Sequence, residues 1–187
     1  QGEPLALNAD GSGSFRDYVA AFIAAAANAE LQKGTDPAAL QAENPWLTID
    51  GKRVKNVDFA AYAKAMGRQK TPPTFDALDL SSGENQLFGD AHQDTRHFTA
   101  YSATNSAVKG AGKADADTIK MMNPLNYIDD KTAPVHWRIR VGTNDRDTSL
   151  AVSAILAAKL QNSGKRVDFA LPWDVPHSGD YDLDELF

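Results

Sequence analysis

Val135-His-Trp-Arg-Ile-Arg-Val141, Gly142-Thr-Asn-Asp-Arg-Asp-Thr148, the run from Ser149 to Asn162, and Arg166-Val-Asp-Phe-Ala-Leu171 decide the fold. The first segment reads as a strand, the second as a loop, the third as an apolar helix stopped by Gly164, and the fourth as another strand. Strand, helix and strand in that order form a βαβ unit. Apolar residues lie almost all round the helix (Leu150, Val152, Ile155, Leu156, Leu160), so it is expected to be well covered.

Such a unit belongs to a larger parallel sheet, because parallel sheets occur with helices on both faces and two strands make no stable domain. The sequence holds only these two convincing parallel strands. The remaining strands are expected from polypeptide absent from this chain. The fold class is therefore α/β with an incomplete sheet. The first 130 residues, helical and loop-rich, read as an insertion or lid, and residues 131–187 as the βαβ portion.

Upstream, Ser14 with Asp17 resembles a capping box ahead of a stripe of Phe15, Tyr18, Val19, Phe22, Ile23, Ala26 and Ala27. Asp36-Pro37 opens a short second helix. Asp50-Gly51, between Trp46–Ile49 and Lys52–Val54, signals a type I′ hairpin. Asp58 to Met66 reads as a helix closed by Gly67. A further helix fits 115–122.

Composition excludes several chemistries. The chain has 187 residues, a net charge of −6 and no cysteine, so disulfide scaffolds, thiolate metal sites and cysteine nucleophiles are out. The acidic balance argues against nucleic acid as a partner. The longest low-polarity run, Val19 to Ala29, is too short to span a bilayer. Gln1 is not an initiator methionine, and the chain stops in what reads as an opening helical turn, Asp182 to Phe187. Both ends are read as those of a piece of a longer enzyme.

In a right-handed βαβ unit both strands point the same way, so their carboxyl ends share one sheet edge, roughly 4.8 Å apart, where open α/β folds bind ligands. Asp145 follows the first strand and His177 the second. An aspartate that orients a histidine is the back half of a nucleophilic triad. The order, acid before base, is that of α/β-hydrolases, whose serine precedes both on a G-x-S-x-G elbow. No such elbow occurs here.

His136-Trp-Arg-Ile-Arg140, Gly142-Thr-Asn-Asp145-Arg-Asp147-Thr-Ser-Leu150 and Val167-Asp-Phe-Ala-Leu-Pro-Trp173, followed by His177-Ser-Gly-Asp180, resemble the C-terminal part of bacterial tannases. These are serine esterases of the α/β-hydrolase fold with a large inserted lid. The resemblance continues upstream through Thr71-Pro-Pro-Thr-Phe-Asp-Ala-Leu-Asp79 and Glu84-Asn-Gln-Leu-Phe88, covering about residues 65–187. It implies Asp145 as triad acid, His177 as triad base, and Lys70, Glu84 and Asp147 as ligands of the galloyl hydroxyls. Two carboxylates accept from adjacent phenols while an ammonium donates. The implied activity is hydrolysis of phenolic, galloyl esters. The implied partner is a companion N-terminal chain that carries the serine. No cofactor or metal is called for.

Plainer readings stand beside these. Asp145 could cap a turn, Asp147 could cap the following helix, and His177 could bond Asp174 or Asp180. Lys70 and Glu84 could form an exposed pair contributing under about 1 kcal/mol. The segment His92-Gln-Asp94-Thr-Arg-His97 has the wrong spacing for a two-histidine metal site on a helix and reads as a solvated loop. A feruloyl or general carboxylesterase, or a non-catalytic binding or assembly module, are the alternative functions.

Overall fold

The computed structural model describes residues 3–67, 76–177 and 183–185. Its elements run α1 (Ser14–Gln32), α2 (Pro37–Glu43), β1 (Leu47–Asp50), β2 (Arg53–Val57), α3 (Phe59–Met66), α4 (Gly83–Leu87), α5 (Ala100–Thr104), α6 (Ala116–Met122), β3 (His136–Arg140), α7 (Leu150–Asn162) and β4 (Arg166–Ala170). Single 3-10 turns lie at Pro124–Asn126, between α6 and β3, and at Leu183–Glu185, after β4. The chain divides into two units, residues 1–67 with 134–187, and residues 68–133. One boundary between the units falls at 133/134, and residues 1–67 pack with the βαβ segment. The reason is apolar: Val19, Ile23, Leu31, Trp46, Leu47 and Tyr62 share one buried cluster with Val141, Leu150, Ala154 and Leu171.

Within the first unit, α1 buries Val19, Ile23, Ala26, Ala27 and Leu31 on one stripe, as the 3.6-residue period requires. Its small alanines admit a close neighbour. The Phe22 ring lies 4.6 Å from that of Phe169 on β4. The expected capping box is absent. Helix α1 starts without a side-chain cap, because the Ser14 hydroxyl accepts instead from the Ala6 amide at 2.9 Å and Asp17 pairs with Arg16. Asp36 does cap α2, accepting from the amides of Ala38 and Ala39, with Pro37 behind it.

Strands β1 and β2 form the antiparallel hairpin, with Asp50 opposite Arg53. Its turn differs from expectation. Of the two central residues only Gly51 has positive φ, at 58°, whereas type I′ needs positive φ at both. Glycine at the first central position alone is the type II′ preference.

Strands β3 and β4 pair in parallel, from His136↔Arg166 to Arg140↔Ala170, joined through α7. Arg138 and Arg140, two residues apart on one face, both reach the Asp168 carboxylate, at 3.1 and 2.7 Å. Among the described residues the two sheets have two strands each. Helix α7 is not covered all round. Leu150, Ala154, Ala157 and Leu160 are buried, while Val152 and Ile155 are each 45% exposed. An apolar helix face therefore stands open in this chain, since the described strands and helices cover only its opposite side.

The unit of residues 68–133 is organised differently. Its buried residues include Asp76, Asn85, His97 and Ser102. The Asp76 carboxylate accepts from the amides of Phe98 and Thr99 and from the hydroxyls of Thr99 and Ser102, at 3.0–3.1 Å. Asn85 accepts from the Ala77 amide and donates to the Arg96 carbonyl. The segment 92–97 is not a solvated loop throughout. His97 is fully buried, its backbone pairs with Gly112 and Ala114, and its Nε2 stands 2.8 Å from the Ser106 hydroxyl.

Candidate active site

The carboxyl ends of β3 and β4 are adjacent, so the segments that follow them, 141–148 and 171–177, leave the sheet at one edge. Hydrogen bonds stitch the two together. The Thr143 amide donates to the Pro172 carbonyl at 3.0 Å, and the Asn144 amide to the Val175 carbonyl at 3.1 Å. The Asp174 amide donates to the Thr143 hydroxyl at 2.7 Å, and Asn144 Nδ2 to the Asp174 carboxylate at 3.1 Å. Asp174 holds a left-handed conformation, φ 55°, that an aspartate tolerates better than most residues, and these two bonds clamp it there. Glycine is required at 142, because any Cβ would overlap the Val175 carbonyl.

Asp145 closes a tight turn, its amide donating to the Gly142 carbonyl. Its Oδ1 accepts from the amides of Asp147 and Thr148, each at 2.8 Å. His177 Nδ1 stands 3.0 Å from Asp145 Oδ2 and 3.2 Å from Oδ1. The turn-capping and the histidine-orienting readings of Asp145 are thus both realised, by one carboxylate. Its side chain is 5% exposed and that of His177 49%. A carboxylate only accepts, so the neutral imidazole carries its proton on Nδ1 and leaves the Nε2 lone pair available.

The geometry also sorts the plainer readings. His177 bonds Asp145, while Asp174 is engaged by Asn144. Asp180 lies outside the described residues. Asp147 does not cap α7; Ser149 does, accepting from the Ala151 amide. The Asp147 carboxylate instead reaches toward the other edge of the imidazole, 3.8 Å from Nε2. Two carboxylates flank the ring, one on each nitrogen.

Of the five residues singled out in the sequence, Asp145, Asp147 and His177 are thus gathered at one place. Glu84 lies half-buried in the first turn of α4, whose N-cap is Ser82, in the unit of residues 68–133. Lys70 lies outside the described residues.

Three contributors were not read from the sequence. Thr143 and Asn144 show there only as polar residues after a strand. Tyr62 donates its hydroxyl to the Thr143 carbonyl at 2.6 Å, and it sits on a helix 81 residues away, for which no local signal exists. Burial, and after it the charge of Asp145, push the Tyr62 hydroxyl above its ordinary pKa, so it stays a donor throughout the working range of a histidine.

No protein-family model and no curated protein matches the sequence. Solved structures do. The chain is similar to a tannin acyl hydrolase in complex with ethyl gallate, at 47% identity and a TM-score of 0.90, over 99% of this chain and 40% of that one. It is similar to the native tannin acyl hydrolase from Lactobacillus plantarum at 47% identity, a TM-score of 0.89, and 98% and 39% coverage. It is similar to the Fusobacterium nucleatum tannase at 46% identity, a TM-score of 0.87, and 98% and 39% coverage. The chain spans about 40% of the length of these enzymes. The likeness to bacterial tannases runs through essentially the whole chain, residues 1–64 included.

Proposed function

We propose that this chain, tannase-like over 99% of its length, is the acid- and base-bearing portion of a serine esterase that hydrolyses phenolic, galloyl esters. The observation that carries the reading is the Asp145–His177 contact at 3.0 Å, with the His177 side chain half-exposed. Asp145 holds the imidazole in the tautomer a general base needs. His177 Nε2 takes the proton of a serine hydroxyl, and the serine oxygen attacks the ester carbonyl. Collapse of the tetrahedral adduct breaks the bond to the alcohol oxygen, which leaves with the serine-derived proton from Nε2. Water then attacks the acyl-enzyme, giving its proton to Nε2, and the phenolic acid leaves as the serine oxygen takes that proton from Nε2.

The serine and its elbow come from polypeptide outside this chain, the companion N-terminal portion. The half-exposed Val152 and Ile155 on α7, beside a parallel sheet that has two strands among the described residues, support a sheet that continues elsewhere. The lid role falls to residues outside the βαβ segment. Lys70, Glu84 and Asp147 bind the ring hydroxyls. Two solved relatives are complexes with ethyl gallate and with 3,4-dihydroxybenzoate, and both compounds carry adjacent phenols.

The test is an ester panel on the full-length protein. Methyl gallate is expected to exceed methyl ferulate and a short aliphatic ester in kcat/KM, by up to about 10⁴-fold, because buried groups built for hydroxyls are left unpaired by esters lacking them. Equal rates on all three would reduce the reading to a general carboxylesterase. Binding without turnover would mark a non-catalytic module.

A further inference from the structure

We propose that Tyr62 is a positioning residue for the site: through the Thr143 carbonyl it holds the 142–145 turn, and with it Asp145, in register with His177. This rests on the acid and base roles given above to Asp145 and His177.

The argument starts from how the two loops are held. Thr143 is buried and spends its amide on Pro172 and its hydroxyl on the Asp174 amide. Both bonds fix the loops relative to each other. Neither fixes the stitched pair to the rest of the unit. The bond from Tyr62 to the Thr143 carbonyl does so, and it comes from α3, a different element. Tyr62 is itself immobilised. It is 4% exposed, its ring meets that of Trp46 edge-on at 4.9 Å, and Phe59 lies 5.9 Å away. Trp46 in turn lies 5.9 Å from Trp173, on the loop that leads to His177. One aromatic group therefore braces the acid loop by a hydrogen bond and the base loop by ring contact. Asp145 is two residues beyond the anchored carbonyl, and a catalytic carboxylate displaced by about 1 Å loses on the order of 10²-fold in rate at worst.

The experiment is Tyr62→Phe in the full-length protein, which keeps the ring and deletes the hydroxyl. With methyl gallate, kcat is expected to fall about 10-fold while KM holds, since substrate contacts are untouched. In proton NMR the downfield resonance of the His177 Nδ1–H, bound to Asp145, is expected to move upfield and broaden. Leu40→Ala serves as control: it opens the same core at a buried α2 residue outside both loops. A matching loss of kcat in Leu40→Ala, or an unchanged kcat and resonance in Tyr62→Phe, overturns the proposal. Should Tyr62→Phe not fold, Trp46→Phe takes its place with the same two readouts. Asp145→Asn separates the two levels: if it retains full turnover, the acid role itself is wrong, whatever Tyr62 does.

Discussion

The two units of this chain are held together by different physics. Residues 1–67 and 134–187 share an apolar cluster of aliphatic and aromatic side chains, and hydrogen bonds stitch together the loops that carry Asp145 and His177. Residues 68–133 bury a carboxylate, an amide, an imidazole and a hydroxyl, each bonded to backbone or side-chain groups, beside few large apolar residues such as Phe88 and Ile128. An apolar core tolerates loss of one contact by partial collapse, whereas a polar network left half-satisfied strands every remaining donor in a low-dielectric interior. The contrast teaches where each unit is vulnerable. In the first, truncation of the half-exposed His177 is expected to leave the apolar core intact. In the second, single polar atoms are structural.

The sharpest separation comes from His177→Ala in the full-length protein. It is expected to lower kcat by about 10³-fold or more while leaving the unfolding midpoint nearly unchanged, because the ring is half-exposed. Steady-state kinetics beside a thermal melt reads both. A large drop in the melting temperature would merge chemistry with stability in this unit.

Asp76→Ala should do the reverse. It leaves the amides of Phe98 and Thr99 unbonded and takes the carboxylate acceptor from the hydroxyls of Thr99 and Ser102, at a cost of about 3 kcal/mol. Amide exchange is expected to accelerate at Phe98 and Thr99 and to stay slow at Ile23 and Leu160. The same residue makes this network acid-sensitive. Burial raises the Asp76 pKa, but the donors from Phe98, Thr99 and Ser102 together outweigh burial and hold it below the ordinary carboxylate value. A lowered folded-state pKa contributes stability that is complete above the unfolded value, about 3.9, and is lost as pH falls through the folded one. The Phe98 and Thr99 amide shifts should therefore hold steady to about pH 4 and move below it.

The smallest expected effect is Ser149→Ala, which removes the cap of α7 at about 1 kcal/mol. Chemical denaturation measures it. Activity should hold, since Asp145 rather than Ser149 bonds the amides of Asp147 and Thr148.

Particular elements show how far the sequence could be read. The stripe on α1, the hairpin, the βαβ segment and the meeting of Asp145 with His177 all follow from local periods and from parallel strands sharing one edge. The capping box failed because the Ser14 hydroxyl found a partner eight residues away, at Ala6. His97 was misjudged because a histidine among polar neighbours looks solvated until distant strands of chain close over it. Asp147 looked like a cap by position, but Ser149, nearer the first helical turn, took that role.

By itself the sequence determined the α1 stripe, the hairpin and the βαβ segment, though not α4 or α5, and that an acid and an imidazole follow neighbouring strand ends, because alternation, helical period and chain direction are properties of consecutive residues. Only the tertiary structure decided that residues 1–67 pack with 134–187, that Asp145 divides its oxygens between a turn and a ring, and that Tyr62 anchors the loop. Burial and hydrogen-bond partnership between remote segments depend on which surfaces meet, and no window of consecutive residues encodes that.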